Sequence, residues 1–326
     1  MKTFQNNGGV CFEGVIPIIP TPFTEDEEVD VEALGRLIEF AVAAGVPSVC
    51  LPAYGSEFYK LDESERMLVV KVAVEKARSR VAIIAQSNHP SARVAAEIAK
   101  ANEALGADAI SIALPRQFSI PETDMLNYAR CICDAVRRPV LVQDFNPGGA
   151  TIGAGFCVEL RSLCDNFRAV KLEEPLFGPK VQAIRKATGE RVSVLEGWGG
   201  IYLTDLFDYG ISGLMPGTGL ADFLGLVWDA LREGRRGAAF DTFEKVLPFI
   251  LFSLQNFELF HFVEKRLLQA RGGLDQCHVR APQWTPSDEV RNYVDELIER
   301  LRAHAEILGL AWNPLDQAPV MEGAAA

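Results

Sequence analysis

Two hydrophobic patterns alternate along the chain. Short apolar runs, rich in β-branched residues, recur at Val15–Ile19, Ser48–Leu51, Val81–Ala85, Ala109–Ile112, Val140–Val142, Ala169–Leu172, Val192–Leu195 and Gly213–Met215. Between them lie longer stretches whose apolar residues return every three or four positions, the spacing of an amphipathic helix. Leu34, Leu37, Ile38 and Ala41 make such a stripe over 31–44, and Met67, Val70 and Val74 make another over 63–77. The stretches 91–104, 122–136, 156–164, 180–187 and 201–207 behave alike. Thr24, Asp62, Ser91 and Thr123 are of the types that open helices.

Strands alternating with helices predict parallel βαβ units. An open dinucleotide-binding sheet would carry a glycine-rich fingerprint after its first strand. Pro20-Thr21-Pro22-Phe23 stands there instead, and no phosphate-binding loop sequence occurs. The expectation is therefore an α/β protein, a closed (β/α)8 TIM barrel over residues 1–235. The strand pattern stops after about Glu233, and 238–254, 257–270 and 286–310 read as helices. Residues 236–312 are thus expected to form a C-terminal helical domain, and 313–326 a disordered tail.

Composition narrows the function. Thirty-two Lys and Arg against 44 Asp and Glu give a net charge of −12 over 326 residues. With no basic stripe, nucleic acid and anionic membranes are poor partners. No apolar run approaches the ~20 residues of a membrane span. Met1–Gly9 is polar and lacks the apolar core of a signal peptide, which predicts a cytoplasmic protein. The seven cysteines are scattered, with Cys131 and Cys133 the one close pair, and the four histidines do not cluster. Neither pattern suits a metal site, so no metal and no cofactor are expected.

In a barrel of this kind the reactive groups gather at the C-terminal ends of the strands. That filter selects Thr21, residues 53–57, 86–89, Pro115, 143–146, 171–174, 193–198 and 216–218. Lys171 ends an otherwise apolar strand. Desolvation on an inward position would favour its neutral amine, which can attack a ketone and form a Schiff base. A lysine at a strand end can equally snorkel to solvent. Glu173, two residues on, shares the face of Lys171 by strand period. It reads either as an ion-pair partner or as a general acid and base, while Glu174 should point away. Ser193, on the next strand, is a hydrogen-bond donor or filler that could also relay a proton. Gly55 and Ser56 could turn their N–H groups onto a carboxylate or simply make a tight turn. Tyr54 is a pocket wall or a proton carrier.

Several of these segments together resemble the dihydrodipicolinate synthase/N-acetylneuraminate lyase family. They are Gly14-Val15-Ile16-Pro17 with Thr21-Pro22-Phe23, Tyr54-Gly55-Ser56-Glu57 with Leu61-Asp62-Glu63-Ser64-Glu65-Arg66, Val170-Lys171-Leu172-Glu173, Glu196-Gly197 and Val279-Arg280-Ala281-Pro282. The resemblance spans 14–301. It implies a barrel with a C-terminal helical domain, a homo-oligomer of four or two copies, a small 2-keto acid substrate, and metal-free catalysis with Lys171 as the Schiff-base residue. Thr21, Tyr54, Gly55, Ser56, Gln143, Gly197, Trp198 and Gly217 would bind substrate. Lys171, Glu173 and Ser193 would carry the chemistry.

Two departures shape the expected reaction. The family's carboxylate-binding loop usually reads Gly-Thr-Thr-Gly-Glu, against Ala53-Tyr54-Gly55-Ser56-Glu57 here. Its fifth strand usually ends in a proton-shuttling Tyr, and Gln143 takes that place, with Gly148-Gly149 where an Arg usually follows. Gln is neither acid nor base. Gln143, Glu173 and Ser193 together resemble the branch that dehydrates 2-keto-3-deoxy sugar acids. Among those acids L-2-keto-3-deoxyarabonate, giving 2,5-dioxopentanoate and water, is the expected substrate. The alternatives are an aldolase that releases pyruvate and an aldehyde, and a non-catalytic sugar-acid-binding paralogue.

Overall fold

The computed structural model describes residues 12–146, 149–175 and 177–317. Eight parallel strands form one sheet: β1 (Gly14–Val15), β2 (Ser48–Leu51), β3 (Ala82–Gln86), β4 (Ala109–Ala113), β5 (Val140–Phe145), β6 (Phe167–Glu173), β7 (Ser193–Glu196) and β8 (Gly213–Leu214). Each strand is hydrogen-bonded to its sequence neighbour from β2 to β8, and β8 to β1. The ring closes between β1 and β2 through single bonds: the Cys50 N–H to the Pro17 carbonyl at 3.0 Å, and the Ile19 N–H to the Cys50 carbonyl at 3.1 Å. This is a (β/α)8 barrel, as the strand–helix alternation predicts.

The helices are α1 (Val31–Ala43), α2 (Glu63–Ala77), α3 (Ala92–Ala104), α4 (Glu122–Cys133), α5 (Ala154–Leu163), α6 (Gly178–Thr188), α7 (Leu203–Leu206) and α8 (Ala221–Arg232). Asp62 starts α2 as expected. Its carboxylate accepts the Glu65 N–H, and Glu65 reaches back to the Asp62 N–H, each at 2.8–2.9 Å. Thr24 opens no helix. Its hydroxyl accepts the Glu28 N–H in a turn, and Asp30 caps α1 instead. Pro121 precedes α4, so Thr123 lies inside its first turn.

Three further helices follow: α9 (Arg236–Ser253), α10 (Phe257–Ala270) and α11 (Asp288–Leu308). The chain beyond them corrects one expectation. Residues 313–317 do not fray: Pro314–Gln317 make a helical turn, and the neighbouring Trp312 Nε1 donates to the Ala270 carbonyl at 2.6 Å. The rest of the expected tail lies outside the described residues.

The barrel interior explains where chemistry is possible. Alternate strand residues point inward, and the lower layers are apolar: Ile16, Ile84, Ala109, Leu141, Ala169 and Leu195 are buried there. Two residues further along the same rows stand Gln86, Ser111, Gln143, Lys171 and Gly197. The polar layer therefore sits directly on an apolar floor, at the C-terminal rim. Among the described residues no helix is long and apolar enough to cross a membrane, and no group of three His, Cys, Asp or Glu is placed to hold a metal ion.

Candidate active site

A cavity of about 260 Å³ opens at this rim. It is lined by Tyr54, Gly55, Gln143, Lys171, Glu173, Gly197, Trp198 and Gly217, together with Ile18, Phe145 and residues 254–257 and 260 from the C-terminal helices. Lys171 and Glu173 are its two charged members. Both are nearly inaccessible, at 6% and 4% exposed, and Lys171 Nζ lies 3.1 Å from Glu173 Oε1. The period-2 argument thus places both groups in one cavity. Glu174 faces the other way, pairs with Lys180 and accepts the Thr151 N–H at 2.6 Å.

A short chain of amides reaches the same carboxylate. Gln86 Nε2 donates to Gln143 Oε1 at 2.7 Å, and Gln143 Nε2 donates to Glu173 Oε1 at 2.5 Å. Gln143 and Lys171 are paired across β5 and β6, which is why both project into the cavity at one height. Burial pushes the Glu173 carboxyl above its ordinary range, although the Lys171 charge and the two hydrogen bonds oppose this. The Tyr54 phenol is pushed up as well, by burial first and then by the Glu173 charge, so it remains a neutral donor.

Gly197 makes room for the pair. A Cβ there would stand 2.5 Å from Glu173 Cγ and 2.8 Å from Lys171 Cε. Trp198 follows, its ring 6.0 Å from Phe145, and Phe145 packs edge-on against Phe257 at 5.3 Å. These rings and Tyr54 form the apolar wall opposite the polar layer. Glu196, buried beneath the loop, accepts the Trp198 N–H at 3.0 Å and the Gly200 N–H at 2.7 Å. Burial raises its carboxyl to about 7 despite these bonds.

Three expected site residues lie elsewhere. Ser193 begins β7 and pairs with Ala169, one inward layer below Lys171. It opens into a different cavity at the N-terminal mouth, with Phe12, Pro139 and Arg168. The strand starts at Ser193 instead of ending there, so Ser193 lies outside the cavity that holds Lys171 and Glu173. The Ser56 hydroxyl is consumed by the turn: it donates to the Ile19 carbonyl at 2.5 Å and accepts the Ala53 N–H at 2.9 Å. The Ser56 N–H is bonded to the Ala53 carbonyl. Thr21 is buried behind this turn and donates to the Ser56 carbonyl at 2.7 Å. Thr21 and Ser56 shape the loop, leaving Gly55 as the member whose backbone faces the cavity.

Gln86 and Phe145 fall within the strand-end segments 86–89 and 143–146, and the structure gives them their roles, whereas Phe257 and Glu264 fall in none of these segments. The inward rows of β5 and β3, carried one step further, bring Phe145 and Gln86 to the rim. Phe257 and Glu264 belong to α10, far away in sequence, and no local signal marks them.

Comparison with known proteins agrees with this fold. Residues 11–301 match the model of the dihydrodipicolinate synthetase family. An L-2-keto-3-deoxyarabonate dehydratase from Azospirillum brasilense is 28% identical over 246 residues, covering 73% of this chain and 78% of that protein. A 4-hydroxy-tetrahydrodipicolinate synthase from Chlorobium chlorochromatii is 32% identical over 153 residues, 46% of this chain and 51% of the relative. The crystal structure of a dihydrodipicolinate synthase from Rhodopseudomonas palustris superposes with a TM-score of 0.83 at 25% identity, covering 90% of this chain and 98% of that one. The chain belongs to the dihydrodipicolinate synthetase family, whose members include lyases and dehydratases of the class I aldolase type.

Proposed function

We propose that this family member dehydrates a 2-keto-3-deoxy sugar acid held as an imine on Lys171, and that its substrate is L-2-keto-3-deoxyarabonate. The contact between Lys171 Nζ and Glu173 Oε1 carries the reading. It brings a primary amine and a carboxyl within reach of the same substrate carbons. The similarity to an L-2-keto-3-deoxyarabonate dehydratase supports the substrate class.

The Lys171 amine adds to the C2 ketone and expels water, giving an iminium. The iminium acidifies the C3 protons, and the Glu173 carboxylate takes one to form an enamine. Glu173, now protonated, returns the proton to the C4 hydroxyl, which leaves as water. The resulting unsaturated iminium loses a C5 proton. Protonation on carbon then places the aldehyde at C5, and hydrolysis frees Lys171 and 2,5-dioxopentanoate. One substrate thus yields one product and one net water. A carboxyl raised by burial suits both halves of the exchange, because it can hold a proton nearer neutrality.

The cavity also argues for a neutral distal end. Beyond Lys171 and Glu173 its lining is aromatic, aliphatic, glycine and amide. A second carboxylate or a phosphate on the substrate would be buried without a cation, which is costly. Hydroxyls can be met by Gln143, Tyr54 and Asn256, which line the cavity. Gln143 cannot take a proton from a C4 hydroxyl, the step that an aldol cleavage would require.

The test is product analysis on a panel of 2-keto-3-deoxy acids, with borohydride trapping of a 2-oxo acid in parallel. A C5 semialdehyde without C–C cleavage, and a reduced adduct on Lys171, are the expected results. Pyruvate with glycolaldehyde would make the protein an aldolase, and absence of any adduct would make it a binding protein.

A further inference from the structure

We propose that Glu264 and Lys265, adjacent residues of α10, are positioning residues that clasp the barrel at its weakest seam and set the spacing of the two loops that present Gly55 and Gly217 to the substrate cavity. The inference rests on the reading of Lys171 as the residue that captures a 2-keto acid.

The seam lies between β1 and β2. Both β1 and β8 are two residues long, and β1 meets β2 through single bonds instead of a ladder. A seam so thinly bonded needs support at its catalytic end, where the loop after β2 presents Gly55 and the loop after β8 presents Gly217 to the cavity. Helix α10 grips both loops.

On the β2 side, Glu57 sits in a left-handed conformation, φ 58°, immediately after the Gly55–Ser56 turn. It is wholly buried. Lys265 Nζ reaches its Oε1 at 2.5 Å, and Lys60 Nζ its Oε2 at 3.0 Å. Lys265 also donates to the His278 carbonyl at 2.7 Å, and Lys60 to Glu258 Oε2 at 2.7 Å. Two carboxylates thus answer two ammonium groups, and the loop can shift only by leaving buried charges unmatched.

On the β8 side, Glu264 Oε1 accepts the Gly219 N–H at 2.7 Å. A Cβ on Gly217 would overlap the other Glu264 oxygen, so the loop is pressed against this carboxylate. From the opposite side, the segment that follows β1 holds the same two loops. The Thr218 hydroxyl donates to the Ile18 carbonyl at 2.8 Å, and the Ser56 hydroxyl donates to the Ile19 carbonyl. The loops are therefore fixed between Ile18–Ile19 and the two side chains of α10. Phe260 of the same helix fills the gap, within 3.1 Å of a Cβ on Gly55. The amine that reacts comes from the far wall, on β6. The distance from Lys171 to these two loops is consequently set by a helix outside the barrel.

The experiment compares the full chain with Lys265→Met, Glu57→Gln, their combination and Glu264→Gln. Two readings are taken: the pyruvate concentration that half-saturates reductive trapping on Lys171, and amide hydrogen exchange across the loops. Lys265→Met should raise the half-saturating pyruvate about tenfold or more, while the maximal trapping rate stays within about threefold. The double variant should be no worse than the worse single variant, since both residues act through one contact. Exchange at residues 55–58 should quicken in Lys265→Met, and at 217–219 in Glu264→Gln, by about tenfold, with strands β3 to β7 unchanged. Unchanged half-saturation with unchanged loop exchange would overturn the clasp, as would effects that multiply or exchange that quickens everywhere. If Lys265→Met does not fold, the double variant, which buries no unmatched carboxylate at position 57, and Glu264→Gln decide the matter. If the wild-type protein forms no adduct, the functional reading fails, and loop exchange alone judges the clasp.

Discussion

Glu173 Oε1 lies 3.1 Å from Lys171 Nζ, although the two residues are separated by one strand residue whose side chain points to the opposite face. Each is held from a different direction. Gln143 reaches Glu173 from β5, and the missing side chain at Gly197, the residue after β7, leaves space for both groups. The pair is thus a product of three adjacent strands. Its chemistry leads to the following expectations.

Replacing Lys171 by Ala or Arg should abolish turnover and adduct formation, since a guanidinium stays protonated and cannot attack a carbonyl. Borohydride reduction with pyruvate, followed by peptide mass mapping, checks this. An adduct on Lys60, Lys180 or Lys186 would refute the assignment. Lys60 is already committed to Glu57 and Glu258, and Lys180 to Glu174.

Glu173→Gln should still form the imine but lose dehydration by a factor on the order of 10²–10⁴, the usual cost of removing a general acid and base. Single-turnover trapping and steady-state product release measure the two steps separately. Near-normal dehydration in this variant would sink the mechanism.

Gly197→Ala should be damaging out of proportion to one methyl group. The new carbon would meet Glu173 Cγ at 2.5 Å and Lys171 Cε at 2.8 Å. Overpacking of this kind costs about 1–3 kcal/mol, and it displaces the reacting groups themselves. Activity should fall by more than the loss in thermal stability accounts for. A variant with wild-type kinetics would show that the pair has more room than the geometry gives it.

Ser56→Ala and Ser193→Ala should behave oppositely. Ser56 joins the Ile19 carbonyl to the Ala53 N–H. Its loss leaves buried partners unmet, at about 1–3 kcal/mol, and loosens the turn that presents Gly55, so KM should rise more than kcat falls. Ser193 lies at the other mouth of the barrel. Its alanine variant should keep kcat and KM within about twofold, inside the scatter of substitutions remote from a site. A large kcat loss in Ser193→Ala would restore it to the proton path.

Glu196 supplies a pH test. Burial raises its carboxyl from 4.5 to about 7. Between those values the folded protein holds a proton that the unfolded chain has released, so this group's contribution to stability falls as pH rises. A rise from 4.5 to about 7 corresponds to about 3 kcal/mol. Thermal unfolding from pH 5 to pH 8 should show a steeper decline in the wild type than in Glu196→Gln. Equal slopes would mean that the Trp198 and Gly200 N–H groups hold the carboxylate ionised.

The order of strands and helices, the inward rows and the pairing of Lys171 with Glu173 were legible because they depend on local periodicity. A parallel strand buried on both sides must be apolar until it reaches the rim, and the polar residue that ends such a run is exposed to the cavity by that fact alone. Ser193 shows the limit of the rule. Apolar runs reveal that a strand exists but mark its two ends poorly, and the ends of a barrel strand belong to opposite mouths. The roles of Thr21 and Ser56 were hidden for another reason. A buried hydroxyl bonds to whichever carbonyl packing brings near, and here that neighbour lies 35 or 37 positions away. The contribution of α10 was the least legible. Glu57 meets Lys265 across 208 positions, and in the sequence both look like ordinary charged residues at the edge of an element. Only the closed barrel, with its thin seam between β1 and β2, brings them together, because burying either charge is tolerable only where the other is buried beside it.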